Sequence, residues 1–422
     1  MKKYIITLVA SLLMVQTTFA EGYQLLKPSG VLDVARGVLM ESQQVLILDD
    51  KIVAIGSATQ MNAEIPENYK VIDLEGLTLM PGLIDAHSHV LLHPYNETSW
   101  NDQVMKESRA ERVARGVIHL KNTLDAGFTS LRDLGSEGAG YADVGLKQAL
   151  EKGVIPGPSI IVAGRAIVAT GSYGPKGFDL SHDIILGAEP ADGNDLIRVV
   201  RDQIGKGADI IKFYADYRWG PNGEAKPTFS LQEMKTMVEV ANSSGRQVVA
   251  HSATAEGMRR ATLAGVQSIE HGDGGTIETF QLMKEHGVIF CPTVTITESI
   301  AEYGGWLKGQ GPEPKSVATK KDAMTSALKS GVTICNGSDV GPYTHGDNLR
   351  ELLIMHEYGL SIEKTLQAAT IVGAELMNKK GELGEVKVGY IADLIAVKGN
   401  PLENLEVLSD IRMVMQGGEV YK

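Results

Sequence analysis

Cysteine is nearly absent, 2 among 422 residues, which excludes a scaffold held by a dense disulfide framework. Basic charge is also short: 40 Lys and Arg against 52 Asp and Glu leave a formal net charge of −12. A nucleic-acid partner gripped by a basic surface is therefore not expected. Beyond residue 20 no run is apolar over the ~20 residues that a membrane-spanning helix needs. The glycine fingerprint of a dinucleotide-binding fold is missing after the early strand-like segments. What is present is ordinarily globular, with 43% hydrophobic and 22% charged residues, and argues against a disordered chain. The 47 glycines, about 11% against a usual ~7%, point to many tight turns between elements.

Residues 1–20 have the form of an export signal. Lys2 and Lys3 precede an apolar run from Ile5 to Val15, and Thr18-Phe19-Ala20 puts small residues before a cleavage point. The run is too short to cross a bilayer, and no cysteine nearby offers a lipid anchor. The expectation is cleavage after Ala20 and a periplasmic or secreted protein without a membrane anchor. An oxidising compartment permits Cys291 and Cys335 to pair, whereas buried free thiols are the commoner state of core cysteines, and the sequence leaves both open.

The rest of the chain divides by pattern. Short strand-like runs fill the start (Val45–Leu48, Lys51–Gly56, Lys70–Leu74) and return at the end (Ala392–Val397, Arg412–Met415). One small β domain, a β-sandwich built from 21–80 plus 383–422, is the expectation. Between them, from 81 to 382, strands alternate with amphipathic helices. The strand candidates are Gly82–Ala86, Thr129–Leu131, Ser159–Ala163, Asp209–Phe213, Gln247–Ala250, Gln267–Ile269, Val288–Cys291 and Val332–Cys335. The helix candidates include Met105–Ala126, Asn194–Lys206, Leu231–Ser244 and Lys315–Ser330. Eight strands alternating with helices predict an α/β fold of the (β/α)8 barrel type rather than a doubly wound sheet.

Chemistry concentrates at the ends of these strands. In Pro81-Gly82-Leu83-Ile84-Asp85-Ala86-His87-Ser88-His89, the two histidines at i and i+2 project to the same side of a strand. Lys212, His251 and His271 each close a strand candidate, and Asp339 follows the last one. Taken singly, each reads as an ordinary strand-terminal polar group. Together they put four imidazoles, a lysine and a carboxylate at one mouth of a barrel, where barrel enzymes place catalysis.

This constellation resembles the amidohydrolase superfamily, which carries HxH after strand 1, Lys after strand 4, His after strands 5 and 6, and Asp after strand 8. The resemblance spans roughly residues 25–422 and is nearest to the branch of imidazolonepropionase-like proteins and Xaa-Pro or Xaa-Arg/Lys dipeptidases. It implies that His87, His89 and Asp339 hold one metal, that His251 and His271 hold a second, and that Lys212, carboxylated by CO2, bridges them. A lysine ammonium has no lone pair, whereas its carbamate offers two oxygens and a negative charge. Pairing of Lys212 with Asp209 or Glu224 would instead leave a mononuclear site. Zinc suits the imidazole and oxygen ligands, with manganese or cobalt as alternatives. The resemblance further implies attack by a hydroxide shared between the metals, with Asp339 as general base and then general acid.

The expected enzyme is an amide hydrolase acting on a small substrate such as a dipeptide or N-acyl amino acid. The same site also suits ring-opening of a cyclic amide, or lactone or organophosphate hydrolysis. Deamination is disfavoured, because Thr254 stands where many deaminases of the superfamily carry Glu, three residues after the strand-5 histidine. A catalytically dead relative is disfavoured because all six candidate ligands are present. Four Gly/Pro/Tyr-rich segments, 93–100, 171–175, 217–221 and 341–346, should rise over the mouth. Tyr214, at i+2 from Lys212, and His345 are candidate substrate contacts. Arg218 is a carboxylate clamp or a solvated loop residue, and Glu270, by strand alternation, should face away from His271. The expected partner is a small-molecule substrate, and a homo-oligomer is compatible with the sequence.

Overall fold

The computed structural model describes residues 22–422 except 62–64, 180, 183 and 185. The expected leader, 1–20, lies outside the described residues. Both ends of the chain build one sheet. From the start come β1 (Tyr23–Asp33), β2 (Val38–Glu41), β3 (Gln43–Leu48), β4 (Lys51–Ser57) and β5 (Tyr69–Pro81). The central region supplies β6 (Leu83–Ser88), β7 (Phe128–Asp133), β8 (Ser159–Val162), β9 (Ile167–Val168), β10 (Glu189–Pro190) and β11 (Ile210–Tyr214). A short hairpin, β12 (Asp216–Arg218) and β13 (Ala225–Pro227), precedes β14 (Gln247–Ser252), β15 (Ser268–His271) and β16 (Ile289–Cys291). β17 (Leu394–Lys398), β18 (Ile411–Gln416) and β19 (Glu419–Val420) close the chain.

The terminal sheet runs β19-β18-β17-β5-β1-β3-β4, with β2 paired to β1. In the inner part of the sheet strand alternation buries side chains on both faces. Along β17, Ile395 and Val397 enter a cluster with Met80, Leu83 and Val414, while Leu394 and Ala396 join Leu26, Val45 and Met415. β5 passes through Gly82 straight into β6, so the sheet carries the first histidine strand. Glycine is required at that joint, because a Cβ on Gly82 would lie 2.3 Å from Thr129 Oγ1.

The centre is mixed α/β. β6, β7 and β8 pair in parallel and in order, and β11, β14, β15 and β16 do the same. The Asp209 backbone N–H donates to Val162 O at 2.9 Å, linking the two groups. Helices such as Arg109–Asp125, Leu231–Asn242 and Ala255–Ala264 connect successive strands and pack apolar faces on them. The main core holds Phe213, Val248, Ile269 and Phe290 from the strands against Met234, Met258 and Phe280 from the helices.

Two local expectations need correction, and the state of the cysteines is decided. The run Val332–Cys335 does not form a ladder strand; parallel bridges occur at Ile334 with Phe290 and at Val340 with Ser88. Hydrogen bonding is instead carried on through irregular backbone, with Ala86 N–H donating to Asn336 O and Asp339 N–H to His87 O. The helix expected over Met105–Ala126 is two, Trp100–Lys106 and Arg109–Asp125, because Ser108 caps the second by accepting from Glu111 N–H. Cys291 and Cys335 form a disulfide rather than free thiols, with Cα atoms 4.9 Å apart. Adjacent parallel backbone segments bring the two residues within bridging reach.

Candidate metal centre and active site

Every strand-end residue singled out above arrives at one place. Asp339 Oδ1 lies 3.4 Å from His87 Nε2 and 3.3 Å from His89 Nε2, and its Oδ2 lies 3.9 Å from His271 Nδ1. His87, His271 and Asp339 each offer a ligand atom within 4.8 Å of the others. The His251 ring sits 4.4 Å from that of His271 and stacks at 4.4 Å on Tyr214. Lys212 is buried on β11.

Hydrogen bonds aim the imidazoles. His87 Nδ1–H donates to Glu270 Oε2 at 2.9 Å, and His89 Nδ1–H to Gly135 O at 2.9 Å. Each therefore presents Nε2 to the centre, and His87 Nε2 is buried with no hydrogen-bond partner. An orphaned imidazole nitrogen facing a carboxylate and a second imidazole is the donor set that a divalent metal satisfies. The backbone is strained at the same point: His271 has φ 76° and Asp339 φ 57°, left-handed values rarely adopted by residues with a side chain.

Charge follows the same geometry. Burial pushes His87 down to about 4, so its imidazole is neutral at pH 7. Burial lowers His89 as well, but the Asp339 carboxylate outweighs it and holds His89 up at about 9. Burial also brings Lys212 down to about 8. Among the described residues Lys212 has no salt bridge, and its Nζ lies 5.8 Å from the Tyr214 ring centroid. The two carboxylates that the sequence offered as its partners are engaged elsewhere. Asp209 pairs with Lys147 at 2.6 Å, and Glu224 accepts from Asn222 N–H in its own loop.

Tyr214, His89, His251, His271 and Asp339 line a cavity of about 640 Å³. Each of the four loop segments reaches it, through Tyr95, Tyr173, Tyr217 and Pro342. Arg218 stands exposed at its rim. His345 sits elsewhere than expected: its ring stacks on His119 at 4.1 Å and its Nε2–H donates to Leu92 O at 3.2 Å, so it supports the turn after His89. Thr254 caps the helix Ala255–Ala264 and donates to Asp216, which is a structural role.

Three functional positions escaped the sequence reading. Glu270 is fully buried between His87 and the Arg132 guanidinium, 2.8 Å away. Burial pushes its carboxyl up, but Arg132 and His87 prevail and hold it at about 2. Strand alternation misplaced it, because β15 leaves the extended conformation at His271 and both side chains turn inward. Asp85 accepts from the His87 and Ser338 backbone N–H groups, from the Ser338 hydroxyl and from Asn348, tying the His87 strand to the Asp339 segment. Its i, i+2, i+4 relation to His87 and His89 was the available signal. Glu137, in the glycine-rich stretch after β7, lines the cavity.

Comparison with known proteins fits this geometry. Residues 78–421 match the amidohydrolase family. The chain is 31% identical over 409 residues to an ochratoxinase from Aspergillus niger, covering 89% of this chain and 82% of that protein. It is similar to the crystal structure of a Xaa-Pro dipeptidase with bound methionine in the active site, at 30% identity and TM-score 0.83, over 95% of this chain and all of that one. A prolidase crystallised with N-methylphosphonate-L-proline is equally similar, at 32% identity, TM-score 0.83 and the same coverage. With this match and this site, the chain belongs to the amidohydrolase family and is a hydrolase acting on carbon–nitrogen bonds.

Proposed function

We propose that the protein is an exported binuclear metalloenzyme that hydrolyses the amide bond of a small substrate, a dipeptide or N-acyl amino acid. The observation that carries this reading is Lys212, a buried lysine with no salt bridge among the described residues, in a site where two histidines and a carboxylate, His87, His271 and Asp339, converge on one point. A buried ammonium without a direct ion pair is costly, and carboxylation replaces it with a two-oxygen anionic ligand. Lowering of its pKa by burial favours the neutral amine that CO2 requires. In this reading His87, His89, Lys212 in its carboxylated form, His251, His271 and Asp339 would hold two metal ions. Zinc is the metal that the nitrogen and oxygen donors suit best.

When bound, the metals would supply an activated water and polarise the scissile carbonyl. The chain's own groups do the rest. Glu270 and the Gly135 carbonyl fix the tautomers of His87 and His89. Asp339, held below the ordinary carboxylate range by His87 and His89 against the effect of burial, is ionised and can take the proton of the attacking water. It then returns that proton to the leaving nitrogen. Tyr214, stacked on His251, bounds the space where the acyl group sits. Similarity to a Xaa-Pro dipeptidase and to a prolidase supports dipeptides as the substrate class.

The wider reading is a (β/α)8 barrel, 81–382, capped by a β-sandwich from 21–80 and 383–422. The parallel bridges at Ile334 and Val340, which continue β16 back to β6, support closure. Export is supported by the leader-like residues 1–20 and by the Cys291–Cys335 disulfide, a bond favoured in oxidising compartments.

The test is elemental analysis of wild type and Lys212→Ala prepared in parallel, followed by assay on Xaa-Pro dipeptides and N-acyl amino acids. About two metals per wild-type chain, falling to one or fewer in the variant, is the expected result. One metal in both would sink the bridged site. Turnover confined to cyclic amides, lactones or phosphotriesters would overturn the substrate class.

A further inference from the structure

The mechanism leaves Glu137, a carboxylate of the cavity lining, unused. Glu137 is 3% exposed and has φ 46°, a left-handed backbone for a residue with a side chain. Its Oε2 accepts from Trp100 Nε1–H at 2.8 Å and from the Tyr173 hydroxyl at 2.7 Å. Its Oε1 is buried and has no hydrogen-bond partner, and no described lysine, arginine or histidine forms a salt bridge with it. Beside it three tyrosines meet. Tyr173 lies 4.7 Å from Tyr214 and 4.9 Å from Tyr217 between ring centroids, and Tyr214 lies 5.8 Å from Tyr217.

A buried carboxylate oxygen with no donor is costly unless a ligand supplies one. Aromatic faces add attraction for a cation, because their quadrupoles present negative charge. An alkylammonium meets both demands: its N–H groups reach Oε1 while its charge rests against the rings. We propose that Glu137 with Tyr173, Tyr214 and Tyr217 forms a subsite for a primary ammonium of the substrate. The source that fits the amide-hydrolase reading, on which this rests, is the free α-ammonium of an aminoacyl substrate. A purely structural Glu137 would need only its two accepted hydrogen bonds, and the amide oxygen of glutamine accepts both equally well.

The test separates the subsite from the chemistry. Tryptophan emission, with Trp100 bonded directly to Glu137, is followed while n-butylammonium chloride is titrated into the metal-loaded protein, with butan-1-ol and sodium chloride as controls. Wild type should show a saturable change, weakened roughly tenfold or more in Glu137→Gln and at least about threefold in Tyr217→Leu. Equal binding in wild type and Glu137→Gln, or none in wild type, overturns the subsite. If Glu137→Gln does not fold, Tyr217→Leu decides. In the kinetic arm, the KM preference for Ala-Pro over N-acetyl-Ala-Pro should be roughly tenfold in wild type and shrink to about threefold or less in Glu137→Gln. A preference for N-acetyl-Ala-Lys over N-acetyl-Ala-Leu that collapses in the same variant supports the subsite with a side-chain ammonium as its source. Preferences untouched by the substitution overturn it. Butylammonium binding with no amide cleaved sinks the hydrolase reading alone, and cleavage without butylammonium binding sinks the subsite alone.

Discussion

At the scale of single residues, the site depends on side chains that never touch the cavity. Arg132, Glu270 and His87 form a buried chain in which each charge or dipole is balanced by the next. Glu270→Gln keeps the shape and removes the negative charge. It leaves Arg132 without its carboxylate and weakens the grip on His87 Nδ1–H. Metal affinity measured by chelator competition should fall about 10–100-fold, as when the partner behind a metal-binding histidine is lost. Unfolding free energy should fall by ~3–5 kcal/mol, the cost of stranding one member of a buried ion pair. Wild-type metal affinity in this variant would mean that Glu270 serves Arg132 only.

At the scale of elements, two joints can be tested. β5 runs into β6 through Gly82, where Thr129 Oγ1 and Cγ2 would lie 2.3 and 2.5 Å from an added Cβ. Gly82→Ala should cost ~1–3 kcal/mol by overpacking, and Thr129→Ala in the same chain should recover part of it. Additive losses in that double-mutant cycle would show that the contact relaxes elsewhere. The second joint is Glu351, on the helix Leu349–Glu357, whose carboxylate accepts from the Val294 and Thr295 N–H groups at the start of the helix Val294–Tyr303. Burial raises it from 4.5 to about 7, ahead of the opposing hydrogen bonds. The folded protein therefore holds this proton more tightly than the unfolded chain does. That contribution is fully present below pH 4.5 and is lost as pH rises through about 7. Glu351→Gln cannot titrate, so its stability relative to wild type should improve across that window, by at most about 3 kcal/mol. Denaturant unfolding of both proteins at several pH values checks this, and parallel curves would refute it.

At the scale of the whole molecule, the Cys291–Cys335 disulfide closes a loop of 44 residues that contains the helix Lys315–Ser330 and ends four residues before Asp339. Constraining the unfolded chain by a loop of that length is worth about 4 kcal/mol. Cys291→Ala with Cys335→Ala should lower the denaturation midpoint accordingly, with the same shift on adding reductant to wild type. A midpoint indifferent to both would remove the disulfide from the account of stability and from the argument for an oxidising compartment.

Much of this protein was written locally. The i and i+2 spacing of His87 and His89 puts both on one side of a strand, because that period belongs to extended backbone whatever surrounds it. Lys212, His251 and His271 could be found because each ends an apolar run, and such runs in alternation with helices deliver their ends to a common edge. Other features had no local signature. His271 and Asp339 leave extended φ only because packing and neighbouring hydrogen bonds impose it, so alternation misplaced Glu270 and no ladder forms before Asp339. His345 was drawn behind His89 by its stack on His119, a partner more than 200 residues away in the chain. Glu137 and its tyrosines come from segments that only the fold brings together. Sequence by itself determined which chemistry the strand ends carry, because backbone geometry has a short period. Only the tertiary structure decided which polar atom each of them faces, because that depends on contacts between residues distant in the chain.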